Sequence, residues 1–225
     1  MTDWEIFADA TPWFVSKNAT VVVTEGRCLK KTGAILQPQF PSFATLVNKA
    51  DVTEVVIDDV QHELLAWDSK DGERIGWICP SPPIEISGNV CAAHQLLLQH
   101  FGGVLERFNE PEDTRLFNHN SALTNLDSTH DASFLNDYSW AFDGPIPIDQ
   151  AAYYTIAREA NGNTTICRRN DGSVLLFAPD HCFDDVTPLD DCPELTLYTI
   201  NEVATLTEWV ESISRQWLSS TMVAE

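Results

Sequence analysis

Residues Tyr153–His181, YYTIAREANGNTTICRRNDGSVLLFAPDH, decide the fold class of this chain. Tyr153, Thr155 and Ala157 alternate with Tyr154, Ile156 and Arg158, the two-residue period of a strand. After Asn161-Gly162-Asn163 the run Thr164-Thr165-Ile166-Cys167-Arg168 reads as a second strand, and Asp171-Gly172 turns the chain into Val174-Leu175-Leu176-Phe177. Asn-Gly and Asp-Gly supply the positive φ of two-residue hairpin turns, so the stretch predicts a three-stranded antiparallel meander.

Working outward, Asp180–Glu194 (DHCFDDVTPLDDCPE) reads as an acidic loop, and Leu195–Ile200 as a last strand. Asn201 is expected to cap a final helix in which Val203, Leu206, Trp209 or Val210, Ile213 and Trp217 recur at helical spacing as core anchors. On the other side, Trp140 and Phe142 predict a strand before Gly144-Pro145, and residues 109–138, rich in Asn, Asp, Ser and Thr, predict loop with short helical pieces. Asn89 starts a helix with Leu96, Leu97, Leu98 and Phe101 on one face, and Gly102 is placed to end it in the left-handed conformation. Val104, Leu105 and Phe108 open a strand. The prolines at 80, 82 and 83 mark an internal boundary. Before it lie strands at Thr20–Thr24, Val52–Ile57, Glu63–Trp67 and Arg74–Ile78, a short helix from about Ser42 to Lys49, and an N-terminal stretch read as an edge or short helix. The expected architecture is α+β, with an antiparallel or mixed sheet flanked by helices. Residues 1–87 form a β-rich N-terminal module or extension and 88–225 the α+β domain.

The chain carries a formal charge of −21, unevenly spread. Residues 1–87 hold 13 acids and 7 bases, residues 88–225 hold 21 acids and 6 bases, and no lysine follows Lys70. Such a field repels phosphate, which argues against nucleic acid and anionic membranes and for a basic protein as partner. The bland alternative is that the charge serves solubility alone. No apolar run is long enough for a membrane span, and the first residues carry acids where a signal peptide needs Lys or Arg, so a cytoplasmic protein is expected. Six cysteines without any Cys-x-x-Cys pair then read as reduced, mostly buried thiols rather than disulfides or a zinc site.

Taken together, residues 88–219 show a helix ending in Phe101-Gly102-Gly103, a polar loop, a meander with Asp171-Gly172-Ser173-Val174, an acidic loop and a terminal helix. This order resembles the SUKH superfamily, also called the SMI1/KNR4 family. The resemblance implies an α+β fold and no cofactor. It also implies a protein-binding role, either as a bacterial immunity protein that neutralises a toxin, often a nuclease, or as a regulatory adaptor. An acidic surface suits the first role, because a nuclease site is basic and a carboxylate surface can mimic its substrate. Asp180, Asp184, Asp185, Asp190, Asp191 and Glu194 are the residues expected to form it.

The strongest catalytic candidate is Asp180-His181 with Asp184 and Asp185, a set that could bind a divalent metal or move protons in a hydrolase. These residues lack the helical or strand spacing that fixes such a site. Asn118-His119-Asn120-Ser121 is equally ambiguous. Arg168-Arg169 could hold a carboxylate, although pairing with nearby acids is the simpler expectation. No nucleophile elbow, P-loop or dinucleotide fingerprint occurs. The expectation is therefore a binding protein without catalytic residues, metal or cofactor, with the hydrolase as the rival.

Overall fold

The computed structural model describes residues 1–24, 28–29, 33–86, 89–111, 119–123, 131–180 and 184–222. The fold is α+β, and every strand pairing within its two sheets is antiparallel. The first sheet contains β1 (Val21–Val23), β2 (Cys28–Leu29), β3 (Asp51–Ile57), β4 (Val60–Asp68), β5 (Arg74–Pro80) and β6 (Glu106–Phe108). Its order is β1-β3-β4-β5-β6, with β2 also paired to β3. The second contains β7 (His119–Ala122), β8 (Tyr153–Glu159), β9 (Thr164–Arg168), β10 (Val174–Phe177), β11 (Val186–Pro188) and β12 (Leu197–Ile200), in the order β11-β12-β10-β9-β8-β7. One bridge ties them. Val104 and Ala122 exchange backbone hydrogen bonds of 2.7 and 2.8 Å while Leu105 donates to Ile78 on the other side.

The helices are α1 (Asp3–Ala10), α2 (Gly33–Leu36), α3 (Pro41–Asn48), α4 (Ala92–Leu98) and α5 (Leu206–Ser220). Strand periodicity assigns each side chain to a layer. Leu65, Trp67, Ile75 and Trp77 of the first sheet, with Tyr154, Ile156, Cys167, Val174 and Leu176 of the second, face the largest core cluster, shared with α3, α4 and α5. The alternate residues Leu64, Ala66 and Ile78 pack instead with Phe7 of α1. On the second sheet Ile166, Leu175 and Phe177 pack with Leu135 of a 3₁₀ segment at Ala132–Ala141. Both faces of both sheets are thus covered, which is why β10 reads VLLF without polar alternation. Three tryptophans meet at the centre: Trp67, Trp77 and Trp217 lie with ring centroids 4.9–5.7 Å apart.

The meander forms over the predicted strands, but its turns differ from expectation. Gly162 and Gly172 take positive φ (99° and 75°) while Asn161 and Asp171 do not, so residues 160–163 and 169–173 make longer connections. The two-residue hairpin occurs elsewhere. Asp58 and Asp59 both have positive φ, 47° and 66°, between the paired residues Ile57 and Val60. At the end of α4 the left-handed residue is Gly103 (φ 100°), not Gly102. Gly102 serves close packing: a Cβ there would stand 2.1 Å from the carbonyl oxygen of Pro80. Asn201 does not cap the last helix; Thr205 does, in a reciprocal box with Glu208. Trp140 lies in the 3₁₀ segment and is exposed, not in a strand, because Asp131 caps that segment through the Ser133 amide. Within the expected acidic loop, residues 186–188 form β11.

α3 begins without a cap of its own. Phe40 precedes it and makes no side-chain hydrogen bond. The carboxylate of Glu211, 168 and 169 residues further on in α5, accepts from the amides of Phe43 and Ser42 at 3.0–3.1 Å. A buried acid is thereby held by helix-terminal N–H groups that would otherwise lack partners.

Candidate functional site

β11 is the outermost strand of the second sheet and pairs with β12, Val186 opposite Ile200 and Pro188 opposite Tyr198. The register sorts the expected partner-binding acids. Asp184 and Asp185 enter β11 beside Asn201, whose amide donates to the Asp185 carbonyl at 2.9 Å. Asp190, Asp191 and Glu194 leave it at the other end. Asp180 lies on that same end, since Ala178 donates to Thr196 beside the start of β12. The two groups are separated by the length of a three-residue strand, about 10 Å. Asp180, Asp184, Asp190, Asp191 and Glu194 are exposed and Asp185 is half-buried. The stretch from 180 to 194 contains no Lys or Arg.

The turns that carry these acids are held in unusual backbone conformations. Asp191, Leu195 and Glu202 have φ of 63°, 66° and 62°, a region that costs a non-glycine residue free energy. Local bonds hold the turn at Leu195: its amide donates to the Tyr198 hydroxyl at 2.5 Å, and the Thr196 hydroxyl donates to the Pro193 carbonyl at 2.6 Å. Near Asp185 the surface forms a polar cleft of about 450 Å³, lined by Asn201 and Glu202 and by Ser212, Arg215 and Gln216 of α5.

His181, and with it the Asp180-His181 pairing considered for a hydrolase, lies outside the described residues, as does Asn118. Among the described residues no group of three or more His, Cys, Asp or Glu side chains is placed to hold a metal ion. Arg168 pairs with Asp171 at 3.4 Å. Arg169 donates to the carbonyls of Ala151 (3.2 Å) and Asn89, and its guanidinium lies 5.1 Å from the centre of the Tyr154 ring. Glu159 is buried and accepts from the Asn163 side chain at 3.0 Å.

Sequence reasoning missed a buried polar group around Tyr154. The Cys91 amide donates to the Tyr154 oxygen at 3.3 Å, the phenol lies 3.4 Å from the Cys91 sulfur, and Nδ1 of His94 is 3.1 Å from the same oxygen. Cys167 approaches the Cys91 sulfur to 3.8 Å. Burial lowers the His94 pKa to about 4 and raises that of Tyr154 far above its ordinary value. The neutral imidazole has one N–H to place. On Nδ1 it donates to Tyr154 and leaves the phenol proton for Cys91; on Nε2 it faces the Leu123 carbonyl, 3.4 Å away, and takes the phenol proton instead. Cys91 and Cys167 are 76 residues apart, so no local spacing could reveal them. The available signal was strand parity, which puts Tyr154 and Cys167 on the same face of the meander.

No helix among the described residues is long and apolar enough to cross a membrane. Comparison of the chain with protein-family models, curated proteins and solved structures gives no match. Its class is therefore stated from its own strands and helices: an α+β protein of two antiparallel sheets sharing a helix-covered core.

Proposed function

We propose that this protein binds a basic protein through the acidic edge around β11, in the cytoplasm, and that it serves as an immunity protein neutralising a toxin, a nuclease being the target that fits best. The observation that carries the binding reading is the run of carboxylates at 180, 184, 185, 190, 191 and 194 without an intervening Lys or Arg. Left-handed backbone at Asp191 and Leu195 shapes the turns that carry those at 190, 191 and 194. Like charges held this way repel one another, and a cationic partner removes that repulsion on docking. The toxin-neutralising role rests on the resemblance of residues 88–219 to SUKH proteins. β11 invites no indiscriminate strand addition, because Pro188 lacks an N–H and acids stand at both ends.

The test is capture from native lysate with three proteins: wild type, the variant Asp184→Asn, Asp185→Asn, Asp190→Asn, Asp191→Asn, and a charge-matched control with Asp9→Asn, Glu54→Gln, Asp71→Asn and Glu73→Gln. The proposal expects one basic protein retained by wild type and control and lost by the first variant, with retention weakening as salt rises. Equal loss from both variants would assign the interaction to net charge alone. Equal retention by all three would remove the β11 edge as the docking site.

A further inference from the structure

Cys91 immediately precedes α4 and Cys167 sits in the middle of the second sheet, on its inward face. Their sulfur atoms are 3.8 Å apart, in van der Waals contact and unbonded. We propose that Cys91 and Cys167 form a redox-active dithiol, which a hydroperoxide oxidises to an intramolecular disulfide.

Three features make this pair different from two buried thiols that happen to touch. Polar groups crowd the Cys91 sulfur: the Tyr154 hydroxyl lies 3.4 Å from it and the Cys167 sulfur 3.8 Å. The Cys91 pKa accordingly falls, chiefly through the Cys167 thiol and despite burial, while that of Cys167 rises because its proton is engaged with Cys91. Cys91, the one of the two with any exposed surface, is the sulfur that meets the oxidant, and Cys167 is the resolving thiol. The second feature is room. Gly172 adjoins Cys91 without a side chain, a Cβ there standing 3.4 Å from the sulfur, and the two sulfurs need close only from 3.8 Å to a bond of about 2 Å. The third is access. Cys91 is 3% exposed and Cys167 fully buried, so the entry point is Cys91, next to half-buried Val90 and exposed Asn89. So small an exposed surface at Cys91 favours a small oxidant such as hydrogen peroxide over a bulky disulfide.

The steps balance. The Cys91 thiolate attacks one peroxide oxygen, the O–O bond breaks, and Cys91 becomes a sulfenic acid as hydroxide leaves and is neutralised to water by the proton that the Cys91 thiol released on ionising. The Cys167 sulfur then attacks the Cys91 sulfur, the S–O bond breaks, and the departing hydroxide leaves as water with the Cys167 proton. Two thiols lose two electrons and two protons, and one peroxide becomes two waters. The product ties the start of α4 to β9 and takes from Tyr154 its contact with the Cys91 thiolate.

The experiment exposes the folded full-length protein to hydrogen peroxide, blocks remaining thiols, and maps peptides by mass without reduction. The expected result is loss of two thiols and a linked pair of peptides containing Cys91 and Cys167, reversed by a dithiol reductant. Cys167→Ser should stop at a Cys91 sulfenic acid that a dimedone reagent traps. Cys91→Ser should leave Cys167 at least about tenfold less reactive than Cys91 in the wild type. The proposal is overturned if another cysteine is consumed first while Cys91 and Cys167 stay reduced, or if the link forms only in denaturant. The wild-type arm decides this even if a variant fails to fold.

Discussion

Carboxylates do opposite work at two places in this molecule. At one corner of the first sheet, Arg74 gathers three of them: Asp3 from α1 at 2.8 Å, Asp51 from the start of β3 at 2.5 Å and Asp68 from the end of β4 at 2.9 Å. At the free edge of the second sheet, the acids around β11 stand with no Lys or Arg among them in the sequence. The first group is held by its ion pairs to one largely buried guanidinium. Burial alone would lower the Arg74 pKa, and the carboxylates outweigh it and raise it. The Asp3 side chain has no exposed surface and meets the Arg74 guanidinium at 2.8 Å. The acids at the second edge are mostly exposed to water, where a charge costs little to keep. Burial, rather than residue type, separates an acid that holds the fold from one offered to a ligand.

That contrast can be broken from either side. Arg74→Leu should have the largest effect, roughly 3–5 kcal/mol lost in urea unfolding, because it removes three ion pairs at once, one of them to a fully buried carboxylate. Loss of less than about 1 kcal/mol would mean that Asp3 finds another donor. His94 provides the intermediate case, an ionisable group buried in its neutral form. Its folded pKa of about 4 lies below the unfolded value of 6.5. Above pH 6.5 neither state is protonated and the group has no effect. As pH falls toward 4 the unfolded state takes up the proton first, so stability drops, by at most roughly 3 kcal/mol. The difference in unfolding free energy between wild type and His94→Gln should therefore shift in favour of the variant across that window; a constant difference would show that His94 does not titrate. The smallest effect is expected for Asp184, Asp185, Asp190 and Asp191 changed together to Asn. Their combined effect on stability should stay within about 0.5 kcal/mol, with any change in the stabilising direction. A larger loss in the thermal unfolding of this variant would assign these acids to the fold.

Local grammar made most of the elements legible. Alternation marked β3, β4, β5 and the meander, and helical spacing put Leu206, Trp209, Val210, Ile213 and Trp217 on the buried face of α5. Boundaries failed where two signals competed. Asn201 is a good cap, but Thr205-x-x-Glu208 is a better one because it satisfies amides in both directions. Gly102 and Gly103 share a pattern, and only the position of the Pro80 carbonyl tells which one needs a missing side chain and which a left-handed backbone. The exposed acids could be named in advance because composition shows them. Their division between the two ends of β11 could not, since it follows from a three-residue strand inside a stretch that reads as loop. The Tyr154 group was hidden for a different reason: residues 91, 94, 123, 154 and 167 come from four separate segments, joined only by packing.

The cap that Glu211 supplies to α3 has a consequence for how the chain is made. Synthesis runs from the N-terminal side, so α3 and the tryptophans of β4 and β5 leave the ribosome well before α5 exists. Until then the amides of Ser42 and Phe43 face solvent without the acceptor that later receives them, and Trp67 and Trp77 lack Trp217. The nascent first sheet is therefore an unfinished surface until α5 has been made. A stalled or shortened chain would expose the same aromatic face, the kind of surface that chaperones hold and proteases clear.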